Sequence, residues 1–75
     1  MDMRRLLGRN VRRRRLELGW TQEQLAEKSG FDQRYVSQLE NGRRSPTIVS
    51  LYELAVALET TPVALITPDD EVESG

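Results

Sequence analysis

The sequence predicts an all-α domain, a compact bundle of five short helices, because three kinds of signal recur along it. Apolar residues repeat at intervals of three and four, which places them on one face of a helix. A residue suited to capping a helix N-terminus precedes each such segment, and glycine ends three of them. The 75 residues allow one domain, expected at positions 1–68 and followed by an acidic, disordered tail at 69–75.

The first predicted helix runs from a cap at Asp2 to about Leu18. Three apolar residues spaced by four should form its inward face: Met3, Leu7 and Val11. Arginines cover the remainder, including a run at 12–15, and a solvated face is the plain interpretation for most of them. Gly19 ends the helix, and we interpret the following Trp20 as a core residue rather than a platform for base stacking.

Two short helices separated by a glycine occupy positions 21–42. Thr21 caps the first of them, which Gly30 ends, and Asp32 caps the second, which Gly42 ends in the left-handed conformation. Phe31 should fix the entry of the chain into the second helix by packing against it. The apolar residues of the pair predict an inward face: Leu25, Ala26, Val36 and Leu39.

The outer face of the helix after Asp32 carries side chains that can each hydrogen-bond the edge of a base: Gln33, Arg34, Ser37 and Gln38. In the major groove Gln pairs with adenine, Arg with guanine, and Ser with either. A helix, a short turn containing glycine and a second helix with such side chains is the docking pattern of a helix-turn-helix. We therefore predict that these four residues read bases of double-stranded DNA.

A fourth helix is predicted after Pro46 with its cap at Thr47, and Thr61 with Pro62 opens a short fifth helix. The fourth helix has a continuous apolar face toward the core: Ile48, Leu51, Leu54, Ala55 and Leu58. So small a domain has limited room to bury both sides of the fifth helix, and a homodimer would cover the remaining apolar side chains. The interface candidates, with core burial as the alternative for each, are Tyr52, Val63, Leu65 and Ile66.

Composition argues against several classes of function. The chain has no Cys and no His, so a metal site or a catalytic constellation would have to be built from carboxylates alone. We expect no enzyme, no metal and no other cofactor. No run approaches the roughly 18 apolar residues of a membrane span, and the N-terminus has no apolar leader, so we expect a cytoplasmic protein without membrane contact.

Charge is distributed unevenly although the net charge is only −1. Positions 1–44 hold all eleven basic residues against six acidic ones, a net charge of +5, whereas positions 45–75 hold six acidic residues and no basic ones. Such a bipolar distribution orients one face of a protein toward phosphate. Arg43 and Arg44 directly follow the helix with the base-reading face, so we interpret them as phosphate contacts, with plain solvation as the alternative.

These segments together closely resemble the DNA-binding domain of the phage repressor and Cro class, the XRE family. The motifs that carry the resemblance are T-Q-E-Q-L-A at 21–26, Gly30 at the turn, Y-V-S-Q-L-E-N-G at 35–42, a basic residue with Pro46, and L-A-V-A-L at 54–58. The resemblance covers about residues 6–66 and implies the five-helix, lambda-repressor-like fold. The helix after Asp32 then corresponds to the recognition helix.

The resemblance also implies roles for single residues. Arg15 and Glu40 match a structural ion pair that joins the first helix to the recognition helix, and Gln22 matches a phosphate contact that buttresses the first residue of that helix. Tyr35 would reach a phosphate or a thymine methyl, or simply cover the turn. Glu59 replaces a frequent glycine, so we expect a differently shaped or extended helix end. The phosphate contacts expected in all are Thr21, Gln22, Tyr35, Asn41, Arg43 and Arg44.

The function expected from these features is that of a sequence-specific transcriptional regulator that binds a palindromic operator as a homodimer. It would repress by covering a promoter or activate by touching RNA polymerase. Phage-type repressors, controller proteins of restriction–modification systems and antitoxins share this minimal format. The alternative is an antitoxin-like or other protein-interaction subunit, whose exposed helix binds a partner such as a toxin and whose DNA contact is secondary.

Overall fold

The computed structural model describes residues 2–68, which form five α-helices and no strand. These are α1 (Met3–Glu17), α2 (Gln22–Ser29), α3 (Gln33–Glu40), α4 (Ile48–Ala57) and α5 (Pro62–Leu65). The predicted all-α fold class is confirmed. Within this stretch, no helix has the length and apolar character needed to cross a membrane. The acidic tail predicted at 69–75 lies outside the described residues.

Each helix begins at the cap that the sequence predicts. The capping side chain in every case accepts a hydrogen bond from a backbone N–H in the first turn, and the five caps are Asp2, Thr21, Asp32, Thr47 and Thr61. At α2 the cap is reciprocal, because the N–H of Thr21 donates to Oε1 of Gln24 at 2.8 Å. These bonds satisfy donors that a helix start would otherwise leave without partners, so the helix starts are encoded locally.

The core contains side chains from all five helices. Its buried members are Leu7, Val11, Leu25, Ala26, Val36, Leu39, Leu54, Ala55, Leu58 and Leu65. Trp20 is partly buried and packs against this cluster, with the ammonium of Lys28 4.8 Å from the centroid of its ring. Phe31 also packs against the cluster and lies 4.7 Å, between ring centroids, from Tyr35 on the first turn of α3. Trp20, Phe31 and Tyr35 thus cover the core at its surface.

Two residues lie on the other side of their helix from the one predicted, and a third follows its alternative. Met3 and Ile48 were expected to face the core but are 48% and 82% exposed, because each is the first residue of its helix and lies beyond the core cluster. Leu65 was expected at a dimer interface, with core burial as the alternative, and its exposure of 2% matches the alternative. The helix α5 is a single turn, so only one of its apolar side chains can face inward, and that side chain is Leu65.

The C-terminal end of α4 also differs from the expectation. Glu59 adopts the left-handed conformation itself, with φ of 59°, so the helix is not extended and its end has the shape that glycine usually provides. The N–H of Thr60 donates to the carbonyl of Ala55 at 2.9 Å, which closes this turn. From α1, Arg14 donates to the carbonyl of Leu58 at 2.8 Å and so fixes α4 to α1.

Candidate nucleic-acid interface

An ion pair between Arg15 of α1 and Glu40, the last residue of α3, fixes the recognition helix to the first helix. Nε of Arg15 lies 2.6 Å from Oε2 of Glu40, and Nη2 of Arg15 donates to Oε1 of Glu40 at 3.0 Å. The remaining nitrogen, Nη1, donates to the carbonyl of Trp20 at 2.8 Å. Arg15 is buried, and its guanidinium donates two hydrogen bonds to the Glu40 carboxylate in the bidentate geometry that arginine favours. The two residues expected to pair therefore lie in direct contact.

A close backbone approach accompanies this ion pair. Gly8 of α1 packs on the last turn of α3, where an added Cβ would lie 2.7 Å from the carbonyl oxygen of Glu40 and would also overlap that of Leu39. No side chain fits there without moving the helices apart. Because position 8 has no side chain, α1 and α3 can pack closely enough for Arg15 and Glu40 to form their ion pair.

Glu40 also starts a chain of hydrogen bonds that reaches the recognition face. Its Oε1 accepts from Nε2 of Gln22 at 3.1 Å, and Oε1 of Gln22 in turn accepts from Nε2 of Gln33 at 3.4 Å. Because a carboxylate only accepts hydrogen bonds, Gln22 must turn its amide oxygen toward Gln33. Gln22 therefore holds the first residue of α3, as its position in the family implies.

The four predicted base-reading residues share one side of α3. Gln33 and Arg34 are exposed, Ser37 and Gln38 are partly buried, and the opposite side of the helix enters the core. Their spacing of one and four residues brings them together because a helix repeats every 3.6 residues. The side chains offer both hydrogen-bond donors and acceptors to a partner that lies along the helix.

Cationic and polar groups lie at the two ends of this face. At one end, the N-terminus of α2 presents Thr21 and Gln22, and a helix N-terminus favours a phosphate. Past the other end, Asn41 and Arg43 are exposed after the last turn, where the N–H of Arg43 bonds the carbonyl of Gln38 at 2.9 Å. This arrangement matches a face that lies in a groove between two phosphate backbones.

Tyr35 and Arg44, both predicted as phosphate contacts, lie against each other. The guanidinium carbon of Arg44 is 4.9 Å from the centroid of the Tyr35 ring, and Nε of Arg44 donates to Oε1 of Gln38 at 3.0 Å. Arg44 thus folds back on the recognition helix although, like Arg43, it is exposed. The two adjacent arginines have different surroundings.

Sequence reasoning did not assign a function to the basic cleft between α1 and the end of α3. The cleft has a volume of about 560 Å³, and three arginines of α1 line it: Arg5, Arg9 and Arg12. At its edge, the carboxyl of Asp2 has a lowered pKa, chiefly because it accepts a hydrogen bond from the N–H of Arg4. Across residues 2–68 no group of three or more acidic side chains could hold a metal ion.

A second surface, on α4 and α5, is apolar. We call it the apolar face, and its members, all exposed, are Val49, Tyr52, Val56, Val63 and Ile66. Three of them were predicted, while Val49 and Val56 were missed. The missed signal is their spacing of seven residues with Tyr52 between them, which marks a second apolar stripe on α4 beside the one that enters the core.

A further residue that the sequence did not single out, Asn10, connects α1 to the end of α5. Nδ2 of Asn10 donates to the carbonyls of Leu65 at 2.9 Å and of Thr67 at 3.1 Å, while Oδ1 accepts from Arg13 at 3.0 Å. Asn10 is 1% exposed and lies in the inward stripe of α1, next to Val11. A polar residue inside an apolar stripe is the signal that would have identified it, since buried amides need partners.

Comparison with known proteins identifies this arrangement. The model of the helix-turn-helix family HTH_3 matches residues 11–65, which include the C-terminal part of α1 and all of the other four helices. The chain belongs to this family. The resemblance to the XRE class is thereby confirmed, and the chain is a DNA-binding transcriptional regulator of the helix-turn-helix type.

Relatives and solved structures agree with this family. An HTH-type transcriptional regulator of Sinorhizobium fredii, y4dJ, is 55% identical over 75 residues, which are 100% of this chain and 97% of the relative. The structure of a hypothetical transcription factor from Neisseria superposes with a TM-score of 0.90 at 34% identity, covering 97% of this chain and 84% of the other. The restriction–modification controller protein C.Esp1396I, solved as a tetramer with its natural 35 base-pair operator, gives 0.78 at 35% identity, with coverages of 87% and 86%.

Proposed function

We propose that this HTH_3 protein is a sequence-specific regulator that binds a palindromic operator as a homodimer, in the manner of a repressor or a controller protein. The observation that carries the proposal is the outer face of α3, where all four base-reading candidates lie between polar and cationic groups at both ends. A helix of this kind fits the major groove of B-DNA. The related controller C.Esp1396I was solved in complex with operator DNA, which supports the same role here.

The proposed base contacts are Gln33, Arg34, Ser37 and Gln38, and the proposed phosphate contacts are Thr21, Gln22, Tyr35, Asn41, Arg43 and Arg44. The ion pair of Arg15 with Glu40 holds the base contacts in place, since it fixes the end of α3 and, through Gln22, its beginning. Recognition therefore depends on a buried polar network as well as on the residues that touch DNA.

The homodimer forms part of the proposal because the apolar face lacks a cover within the described residues. Val63, Tyr52 and Val56 are each more than half exposed. Several exposed apolar side chains on neighbouring helices are typical of a protein interface, and a twofold pair uses the same patch on both copies. A dimer would place two α3 helices in successive major grooves, about 34–36 Å apart. Regulation would follow from occupancy of the operator, in the cytoplasm.

The first experiment is selection of binding sites from a random duplex pool at about 150 mM salt, followed by sequencing, because affinity for DNA depends steeply on salt. We expect an enriched inverted repeat whose half-sites lie about one helical turn apart. Weak binding without sequence preference would overturn the proposal and favour the protein-interaction alternative.

Two single variants then separate base reading from phosphate contact. Arg34→Ala should cost about 1–3 kcal/mol on the selected site and relax the preference at one base pair. Arg43→Ala removes the same charge, and should weaken all sequences alike and reduce the salt slope by about one. Equal losses on selected and random DNA for Arg34→Ala would remove Arg34 from the base-reading set.

A further inference from the structure

The cluster of Arg44, Tyr35 and Gln38 bears on which base the protein reads. Arg44 follows the recognition helix and would ordinarily be counted as one more cation for the phosphate backbone. Instead its guanidinium lies over the ring of Tyr35, 4.9 Å from the centroid, and its Nε donates to the side chain of Gln38 at 3.0 Å. Tyr35 is itself stacked on Phe31, with ring centroids 4.7 Å apart, so the arginine rests on an aromatic pair that packs on the core.

This contact determines how the amide of Gln38 is turned. A guanidinium has only donors, so the Gln38 atom that faces Arg44 must be the oxygen, Oε1. The amide nitrogen, with its two hydrogens, is then directed away from Arg44. The orientation of an amide side chain is often ambiguous, but here the chemistry of its partner fixes it.

The orientation of Gln38 has a consequence for base recognition. An unconstrained Gln reads adenine by accepting from the N6 amino group with its oxygen and donating to N7 with its nitrogen. In this protein Arg44 occupies one of the two acceptor positions of the oxygen, and the positive charge beside it repels the partly positive hydrogens of the N6 group. Guanine presents two acceptors, O6 and N7, in the major groove, and these match the two amide hydrogens.

We infer that Arg44 sets the base preference of Gln38, so that Gln38 reads a guanine instead of an adenine. The inference rests on the proposed function and names the base that one of its contacts selects. Arg44 acts here as a positioning residue through Nε, and its positive charge still contributes to the attraction of the protein to DNA. A residue predicted to contact phosphate only therefore has a second role in specificity.

The test uses the full-length protein and the operator obtained by selection. Gln38→Ala first identifies the base pair that Gln38 reads, as the position where this variant loses preference. At that position the wild type should bind guanine about tenfold more tightly than adenine. Arg44→Ala frees Oε1 and should abolish or invert this preference, in addition to weakening binding to every sequence. Arg43→Ala, the neighbouring charge removal, should weaken binding and keep the guanine preference.

Competition binding with four duplexes that differ only at this base pair gives the result. The inference is overturned if the wild type prefers adenine there, or if Arg44→Ala lowers the affinity for all four duplexes by one factor. These outcomes differ from failure of the proposed function, in which the wild type selects no operator at all. Circular dichroism of each variant excludes unfolding, which is not expected because both arginines are exposed.

Discussion

The two halves of the molecule stabilise their surfaces in different ways. In α1 to α3, the surface proposed to contact DNA is polar and is held by a buried network in which Arg15, Glu40 and Gln22 are all bonded. In α4 and α5, the outward surface is apolar, and no described residue covers Val63 or Tyr52. The first half needs directional bonds because base reading requires fixed side-chain geometry. The second half needs only matching apolar area, which suits association with a second copy.

The largest expected effect is the loss of stability when the ion pair of Arg15 with Glu40 is broken. Arg15→Met leaves the Glu40 carboxylate buried beside Gln22 alone, so we expect the free energy of unfolding to fall by about 3–5 kcal/mol. Urea unfolding followed by circular dichroism measures this change. Arg14→Met is the matched control: Arg14 is more exposed and bonds the carbonyl of Leu58, so its loss should be smaller.

A double variant separates stability from recognition in the same network. Arg15→Met with Glu40→Met replaces the pair by apolar side chains, so much of the stability should return. Operator binding should stay weak because Gln22 loses the acceptor that orients it toward Gln33. Full operator affinity in the folded double variant would show that the network serves stability only.

The apolar face provides a test of intermediate size. Val56→Glu should raise the dissociation constant of the proposed dimer about tenfold or more, since burying one such side chain contributes about 1.5 kcal/mol and a charge opposes burial. Leu16→Glu is the matched control, because Leu16 is 55% exposed against 58% for Val56 but lies on α1. Sedimentation at several concentrations measures both. If the two variants dissociate alike, or neither does, the interface does not lie on α4.

The smallest expected effect is at the end of α4. Glu59 has a positive φ of 59°, so Glu59→Gly should raise the free energy of unfolding by about 0.5–1 kcal/mol by removing the cost of a left-handed side-chain-bearing residue. Thr60→Gly, one position later, has no such strain to relieve and should lower stability. Thermal unfolding of both variants checks the sign, and a destabilised Glu59→Gly would mean that the glutamate side chain supports this turn.

Much of the candidate site follows from the sequence because its signals are local. Gln33, Arg34 and Gln38 share a face through helix geometry alone, and the caps that start α2 and α3 bond within three residues. The Arg15–Glu40 pair was inferred from the family resemblance, since no spacing rule connects residues 25 positions apart. The turn of Arg44 back onto Gln38 was not predicted, because it depends on the path of the loop after α3.

The sequence by itself determined where the helices start, which class of fold they form and which side of α3 is polar. Those properties depend on residues within about one helical turn, where spacing and capping act directly. Only the tertiary structure decided that Gly8 must lack a side chain, that Asn10 holds the end of α5, and that Leu65 and not Val63 is buried. These outcomes depend on how helices cross, and a crossing brings together residues that no local pattern relates.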